Sequence, residues 1–435
     1  MFKIIVISSG VIAAVFAVLI FSGKISIGSK STAPVGEVYV WGTFPQNDTE
    51  QFFSQYNTQS KTYHVTYKYI KEESFSSALA EAISLGNGPD AILVPYQKIL
   101  EQEPKLMPFP ITSFSEKDYK SSYVDGTSIL WSNNGALALP VAIEPMVMFF
   151  NRTLLSKHGI PLPPVYWTDI TDQAQKLTIN ATQGGFIESA IALGSYTNVP
   201  YVKDILMAIV NQVGQSGVSK SVDTNTSSGF SYLVTANTPI VENGDVFPLA
   251  AAFRFFMDFA DPSRTTYTWN QFQPSAQDQF VAEKLALYIG YLGDGKIIHE
   301  RNQKADVDIA FLPQTKGYNT SVTGMRLYGY ATLNSAKNKT ASLATEASLA
   351  SSGWGPTFAA IVGAIPAYRS FLVPANVSDT IIQSTLVARG WYDIKPDQSG
   401  PIFARMVADV ASGRVDITEA VTSFVSRFQT LYTGY

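Results

Sequence analysis

The sequence predicts an α/β protein of two lobes, preceded by an N-terminal transmembrane helix. Three observations carry this. The chain has 435 residues, more than one ordinary domain of about 100–200 residues. Its first folded stretch reads strand, helix, strand, helix, strand, an alternation that implies a partly parallel sheet. Ahead of that stretch lies Ile4–Phe21, an uncharged apolar run at the chain terminus.

Apolar residues make up 46% of the chain and exclude wholesale disorder. Only 15% are charged, and a net charge of −4 gives no footing for a nucleic-acid binder held by phosphate contacts. There is no Cys, which excludes disulfides, thiolate metal sites, a Cys nucleophile and a lipidated Cys. His64, His158 and His299 lie far apart and predict no metal site. The available chemistry is that of carboxylates, hydroxyls, amides, Lys/Arg and aromatic rings.

The elements follow in order. As a helix, Ile4–Phe21 would extend about 27 Å, close to the hydrocarbon thickness of a bilayer. A cleaved signal has a shorter apolar region and a small-x-small site, so residues 1–23 are expected to be a retained anchor, with a cleaved signal as the alternative. Lys3 on one side and Lys24 and Lys30 on the other leave its orientation unset. Residues 24–36, rich in Ser, Gly and Lys, read as a linker. Val38–Trp41 reads as a buried strand, Thr49–Asn57 as a helix, and the alternating Val65–Ile70 as a strand. Phe75, Ala78, Leu79, Ala82 and Ile83 fall at helical spacing within Ser74–Leu85. Gly86-Asn87-Gly88-Pro89 stops that helix, and Ala91–Val94 reads as a buried strand.

Further along, Asp204–Val213 and the Phe-rich Leu249–Phe259 read as core helices, with Phe253, Phe255, Phe256 and Phe259 inside. Ser216–Ser231 reads as an exposed loop. Phe403–Ala411 and Ile417–Tyr432 are expected to close the chain against the second lobe.

The stretch LGNGPDAILV (Leu85–Val94) resembles bacterial extracellular solute-binding proteins of the maltose-binding type. Leu139–Ile170 has the same order: Leu-Pro, a strand with an acidic residue, an apolar run ending in aromatic-Asn, Gly-Ile, prolines and Trp. Tyr267–Asn270 (YTWN), Phe280–Gly290 (FVAEKLALYIG), Asp308–Pro313 (DIAFLP), Leu327–Ser351 and Gly363–Ser370 (GAIPAYRS) continue it. The resemblance covers about Val38 to Tyr432.

It implies a type II periplasmic-binding-protein-like fold with a cleft between the lobes. Lobe 1 would be 37–142 plus 314–352, and lobe 2 would be 143–313 plus 353–435. It also implies a monomeric extracytoplasmic ABC importer subunit that hands a carbohydrate to permease subunits without cofactor, metal or covalent chemistry; the Ile4–Phe21 run would anchor it in place of the lipidated Cys that many relatives carry.

A sugar site needs rings to stack on and polar groups to pair with hydroxyls. On the resemblance, Glu144 at the first hinge crossing is the leading candidate, with Thr43 and Phe44 after the first strand and Trp41 as a weaker one. Gln97, Tyr196, Trp269, Tyr291 and Trp354 complete the set. Val94 and Gln97 stand where some relatives carry Trp and Asp, which counts against a maltose-like ligand. Gln398–Pro401 lacks the aromatic platform of relatives, leaving it missing or displaced to Phe403.

Other motifs carry less. Gly290–Lys296 (GYLGDGK) matches a phosphate-binding loop, but Ile297 replaces the required Ser or Thr, and the resemblance makes the stretch a cleft loop. His299-Glu300 lacks the second His of a zincin helix, and there is no G-x-S-x-G elbow. The sequons at Asn47, Asn151, Asn180, Asn225, Asn319, Asn338 and Asn376 read as a polar surface. Paired acids cannot be placed from spacing alone, so an extracytoplasmic carbohydrate-active enzyme stays open, as do a polyamine or ferric-ion ligand and a sensor role. No Tyr-Tyr pair supports ferric ion.

Overall fold

The computed structural model describes residues 36–60, 62–182, 185–223, 230–240 and 246–433. The expected anchor, residues 1–23, and all of the linker but Gly36 lie outside the described residues. Among the described residues no helix is long and apolar enough to cross a membrane.

The first lobe opens as predicted. β1 (Gly36–Gly42) lies parallel to β2 (Tyr63–Tyr69) and to β3 (Ala91–Pro95), with helices Gln46–Gln59 and Glu72–Ser84 as the crossovers. Val38, Val40, Val65 and the Phe52–Phe53 pair fill the core on one side, as period-2 strands and a 3.6-period helix require. A short helix, Tyr96–Glu101, follows β3 directly. β4 (Phe109–Pro110), β5 (Trp131–Ser132) and β6 (Gly135–Ala136) form a small separate sheet.

β7 (Leu139–Asn151) is buried along its whole length. Its near-continuous apolar sequence is what a strand covered on both faces requires. β8 (Ile179–Asn180), β9 (Phe186–Ile191), β12 (Leu285–Tyr291) and β13 (Val307–Phe311) build the second lobe's part of the sheet. β10 (Val218–Val222) and β11 (Phe230–Val234) form a separate antiparallel hairpin. β14 (Thr323–Thr332) returns to the first lobe, followed by β15 (Ile365–Pro366) and β16 (Ala388–Arg389). The large sheet runs β2-β1-β3-β14-β7-β12-β9-β8, with β13 and β15 also on β7 and β16 on β14.

β7 joins the lobes. Its first half pairs with β14 and β15, and from Met146 onward it pairs with β12 and β13. Glu144 sits at the change of partners, directly opposite Arg326 of β14.

One expectation is corrected. Ser216–Ser231 is not simply a loop: Val218, Phe230, Tyr232 and Val234 are buried in the β10–β11 hairpin, so its inward alternation outweighs its Ser/Thr-rich composition. Residues 354–368, expected in lobe 2, touch residues expected in lobe 1. Trp354 meets Phe52 and Tyr56 edge-on, Phe358 meets Phe44 and Phe52, and Tyr368 hydrogen-bonds Tyr123. The last two helices, Pro396–Ala411 and Ile417–Thr430, pack together through Phe403, Phe424 and Phe428.

Candidate functional site

The site grows from the crossing on β7. The Glu144 side chain is held by both lobes and is only 3% exposed. Tyr328 of β14 donates its hydroxyl to Oε1 at 2.9 Å, and the Gly293 N–H donates to Oε2 at 2.9 Å. Gly293 is required by this approach, because a Cβ there would lie 2.4 Å from Oε2. Burial pushes the Glu144 carboxyl above its ordinary pKa, with Arg326, Tyr328 and Gly293 opposing that rise.

Arg326 lies beside it, with Nη1 3.9 Å from Glu144 Oε1 and a side chain 31% exposed. Its guanidinium carbon sits 4.5 Å from the Tyr291 ring centroid and 5.1 Å from that of Tyr201. A guanidinium on aromatic faces gains cation–π attraction and is fixed in orientation.

Tyr201 adopts left-handed backbone, φ 58°, where the helix Val202–Gln212 begins. A bulky residue in that region is strained. Its hydroxyl donates to Asp294 Oδ1 at 2.9 Å, and that of Tyr288 donates to Oδ2 at 2.7 Å. Asp294 is buried, and burial raises its pKa against these two hydrogen bonds.

A second group of contacts closes the lobes on each other. The Tyr96 hydroxyl accepts from the Trp391 N–H and donates to its carbonyl, each at 3.2 Å. The Trp391 indole donates to Asp204 at 2.9 Å. Lys98, 1% exposed, reaches Asp397 at 2.6 Å and Glu101 of its own helix at 3.3 Å. Lys220 of β10 sits 3.7 Å above the Phe230 ring and 3.7 Å from Glu103 of the first lobe. One short run, residues 96–103, thus meets the second lobe at three points.

The expected site residues divide. Glu144 and Tyr291 come together through Arg326, and Phe44 joins them through its ring contact with Tyr328 at 4.7 Å. Phe44 is nonetheless buried in first-lobe packing, and Thr43 is half-buried beside it. Trp41 is half-buried under the Lys68 ammonium. Gln97 is half-buried one residue after Tyr96. Tyr196 is half-buried against the start of the helix Pro396–Ala411, where a Cβ on Gly400 would lie 3.2 Å from its hydroxyl.

Trp269, 1% exposed, donates to Asn198 inside the second lobe and shows no open ring face. Trp354 anchors first-lobe packing. Phe403 is core, packed on Phe424, and supplies no platform.

Sequence reasoning passed over Arg326, Tyr201, Tyr328, Asp204 and Trp391. Asp294 lies in the GYLGDGK stretch, a phosphate-loop look-alike that the family resemblance makes a cleft loop. Among the described residues no cluster of His, Asp and Glu is arranged to hold a metal ion.

Comparison with solved structures gives the same fold in cyclic α-maltosyl-1,6-maltose binding protein from Arthrobacter globiformis. The identity is 13% and the TM-score 0.72, over 92% of this chain and 100% of that one. The substrate-binding protein Lmo0181 of Listeria monocytogenes, in complex with cycloalternan, gives 14% and 0.69, over 91% and 99%. The sugar-binding protein MalE of Xanthomonas citri gives 15% and 0.69, over 91% and 97%. No curated protein matches the chain. The sequence model of the bacterial extracellular solute-binding proteins matches residues 44–347, well over half of the chain. With the mixed two-lobed fold already described, that match makes this chain a member of the bacterial extracellular solute-binding protein family.

Proposed function

We propose that the protein is the extracytoplasmic solute-binding subunit of an ABC importer, taking up a carbohydrate of the oligosaccharide class. It captures the sugar by closing its lobes and delivers it to membrane permease subunits, with no covalent step. The observation that carries this is the cluster at the β7 crossing. Glu144 and Asp204 supply hydroxyl acceptors, Arg326 a donor and Tyr201 ring surface, while buried Tyr291 and Asp294 hold Arg326 and Tyr201 in place. Such a site favours the closed state because ligand touches both lobes only there.

The ligand-facing set is Glu144, Gln97, Tyr196 and Thr43, while Tyr291 carries Arg326, Phe44 backs Tyr328, and Trp269 and Trp354 hold the lobes' interiors. Lobe 1 takes in 353–372 as well as 37–142 and 314–352. Residues 1–23 anchor the protein in the cell membrane, which cell fractionation before and after deleting them tests. Sugar ligands named for the neighbours support the ligand class.

The direct test is a thermal-shift panel of mono- and oligosaccharides, polyamines and ferric ion on the purified protein. A sugar at one hundred times its Kd adds about 2.7 kcal/mol of stability. A shift with polyamine or ferric ion and none with any sugar refutes the carbohydrate assignment. Turnover of a glycan refutes the binding-only reading.

A further inference from the structure

Glu144 and Arg326 face each other across adjacent antiparallel strands, so their side chains leave the sheet on one face. Nη1 and Oε1 stand 3.9 Å apart, too far for a direct hydrogen bond. One hydroxyl oxygen fits between a donor and an acceptor at that spacing. Placed about 2.8 Å from each, it sees them at roughly a right angle, an acceptable angle between a hydrogen bond it accepts and one it donates.

Both partners are held for that task. Glu144 Oε2 is occupied by Gly293, and Oε1 accepts from Tyr328 on one lone pair, leaving a second. Arg326 lies over Tyr291 and Tyr201, which fixes its plane while part of the side chain remains accessible. Tyr201 is itself held in strained left-handed backbone and tied to Asp294. Strain of this kind persists where the surroundings impose it.

We propose that Arg326 and Glu144 form a donor–acceptor couple that reads a single hydroxyl of a neutral sugar, making Arg326 a specificity-determining residue. This deepens the carbohydrate reading and rests on it. Glu144 and Asp294 offset the charge of Arg326. The couple therefore selects a hydroxyl over a carboxylate, which would meet Glu144 with like charge.

The test is calorimetric titration of the full chain with cycloalternan and with maltotetraose, sugars named for two structural neighbours. Wild type is compared with Arg326→Met, Arg326→Lys, Glu144→Gln and the double variant Arg326→Met/Glu144→Gln. Arg326→Met and Glu144→Gln are each expected to weaken binding about ten- to a hundredfold. The double variant should lose little beyond the worse single one, because both losses pass through one shared hydroxyl. Arg326→Lys keeps a cation over the rings without the planar fork. It should also weaken binding, and it carries the test if the Met variant does not fold.

Unchanged affinity in the Arg326 variants, or losses that simply add in the double variant, overturns the couple and leaves the importer reading standing. Wild type that gives no heat with either sugar overturns the couple as a reader of oligosaccharide hydroxyls. Absence of a response to every sugar of the thermal panel rejects the carbohydrate reading itself.

Discussion

The Lys98–Asp397 pair is expected to set how far the lobes stay closed without ligand. Lys98 belongs to the helix that follows β3 in the first lobe, and Asp397 begins the helix Pro396–Ala411 in the second. Replacing Asp397 with Asn removes the contact between lobes and leaves Lys98 its Glu101 and Ser76 partners at 3.3 Å. The first lobe therefore keeps its own ionic balance, and the cost falls on closure.

A hydrogen bond to a charged group is worth about 1.5–3 kcal/mol. Asp397 is 43% exposed, however, and solvent-screened pairs contribute about 0.2–1 kcal/mol. About 1 kcal/mol is the reasonable ceiling, which is roughly a fivefold fall in the closed-to-open ratio. Distances between spin labels on the two lobes, measured without ligand, report that ratio. Wild type should also open as salt rises, and Asp397→Asn should respond less. Identical distance distributions and salt responses in the two proteins would show that the pair does not govern closure.

Three further outcomes are expected. Glu346 is fully buried, accepts from the Leu139 N–H and the Thr332 hydroxyl, and has its pKa pushed well above the carboxylate range by burial. A raised folded pKa gives stability that is complete below the unfolded pKa of about 4.3 and is lost as pH rises above it. Urea unfolding at pH 4 and pH 8 should therefore show Glu346→Gln gaining on wild type with rising pH, and parallel curves contradict this. Trp269→Ala should cost about 3–5 kcal/mol in the same assay; Trp269→Phe should keep sugar affinity, and a selective loss of affinity would return Trp269 to the binding site. Gly293→Ala puts a methyl 2.4 Å from Glu144 Oε2 and should lower both the melting temperature and ligand affinity, whereas wild-type values in both would mean that Glu144 moves aside freely.

The fold was legible where the chain is locally periodic. The elements from β1 to β3 follow from alternation, helical spacing and the Gly86–Pro89 break. The hairpin Val218–Val234 was not, because its composition favours a loop while its alternate residues face the core. Aromatic count did not separate platform from packing. Trp269 and Trp354 turn inward, while Tyr201, on which Arg326 rests, had no distinguishing pattern in sequence.

The family resemblance singles out Glu144 at the expected hinge crossing, and the structure sets it where β7 changes partners. Arg326 was missed because nothing local to Met325-Arg326-Leu327 reveals that β14 sets it opposite position 144, with residues 201 and 291 beneath it. Those positions meet only when both lobes are in place. The same holds for the buried charges. A chain with 15% charged residues could have lined its lobe interface with apolar side chains, which often stabilise at least as well as ion pairs. Instead Lys98–Asp397, Lys220–Glu103 and Arg326–Glu144 lie where the lobes meet. Apolar lobe faces would adhere with little dependence on what lies between them. Ionic and hydroxyl contacts regain water when the lobes part, so their net contribution to closure stays small. A small intrinsic bias is what lets a ligand's own contacts decide between open and closed.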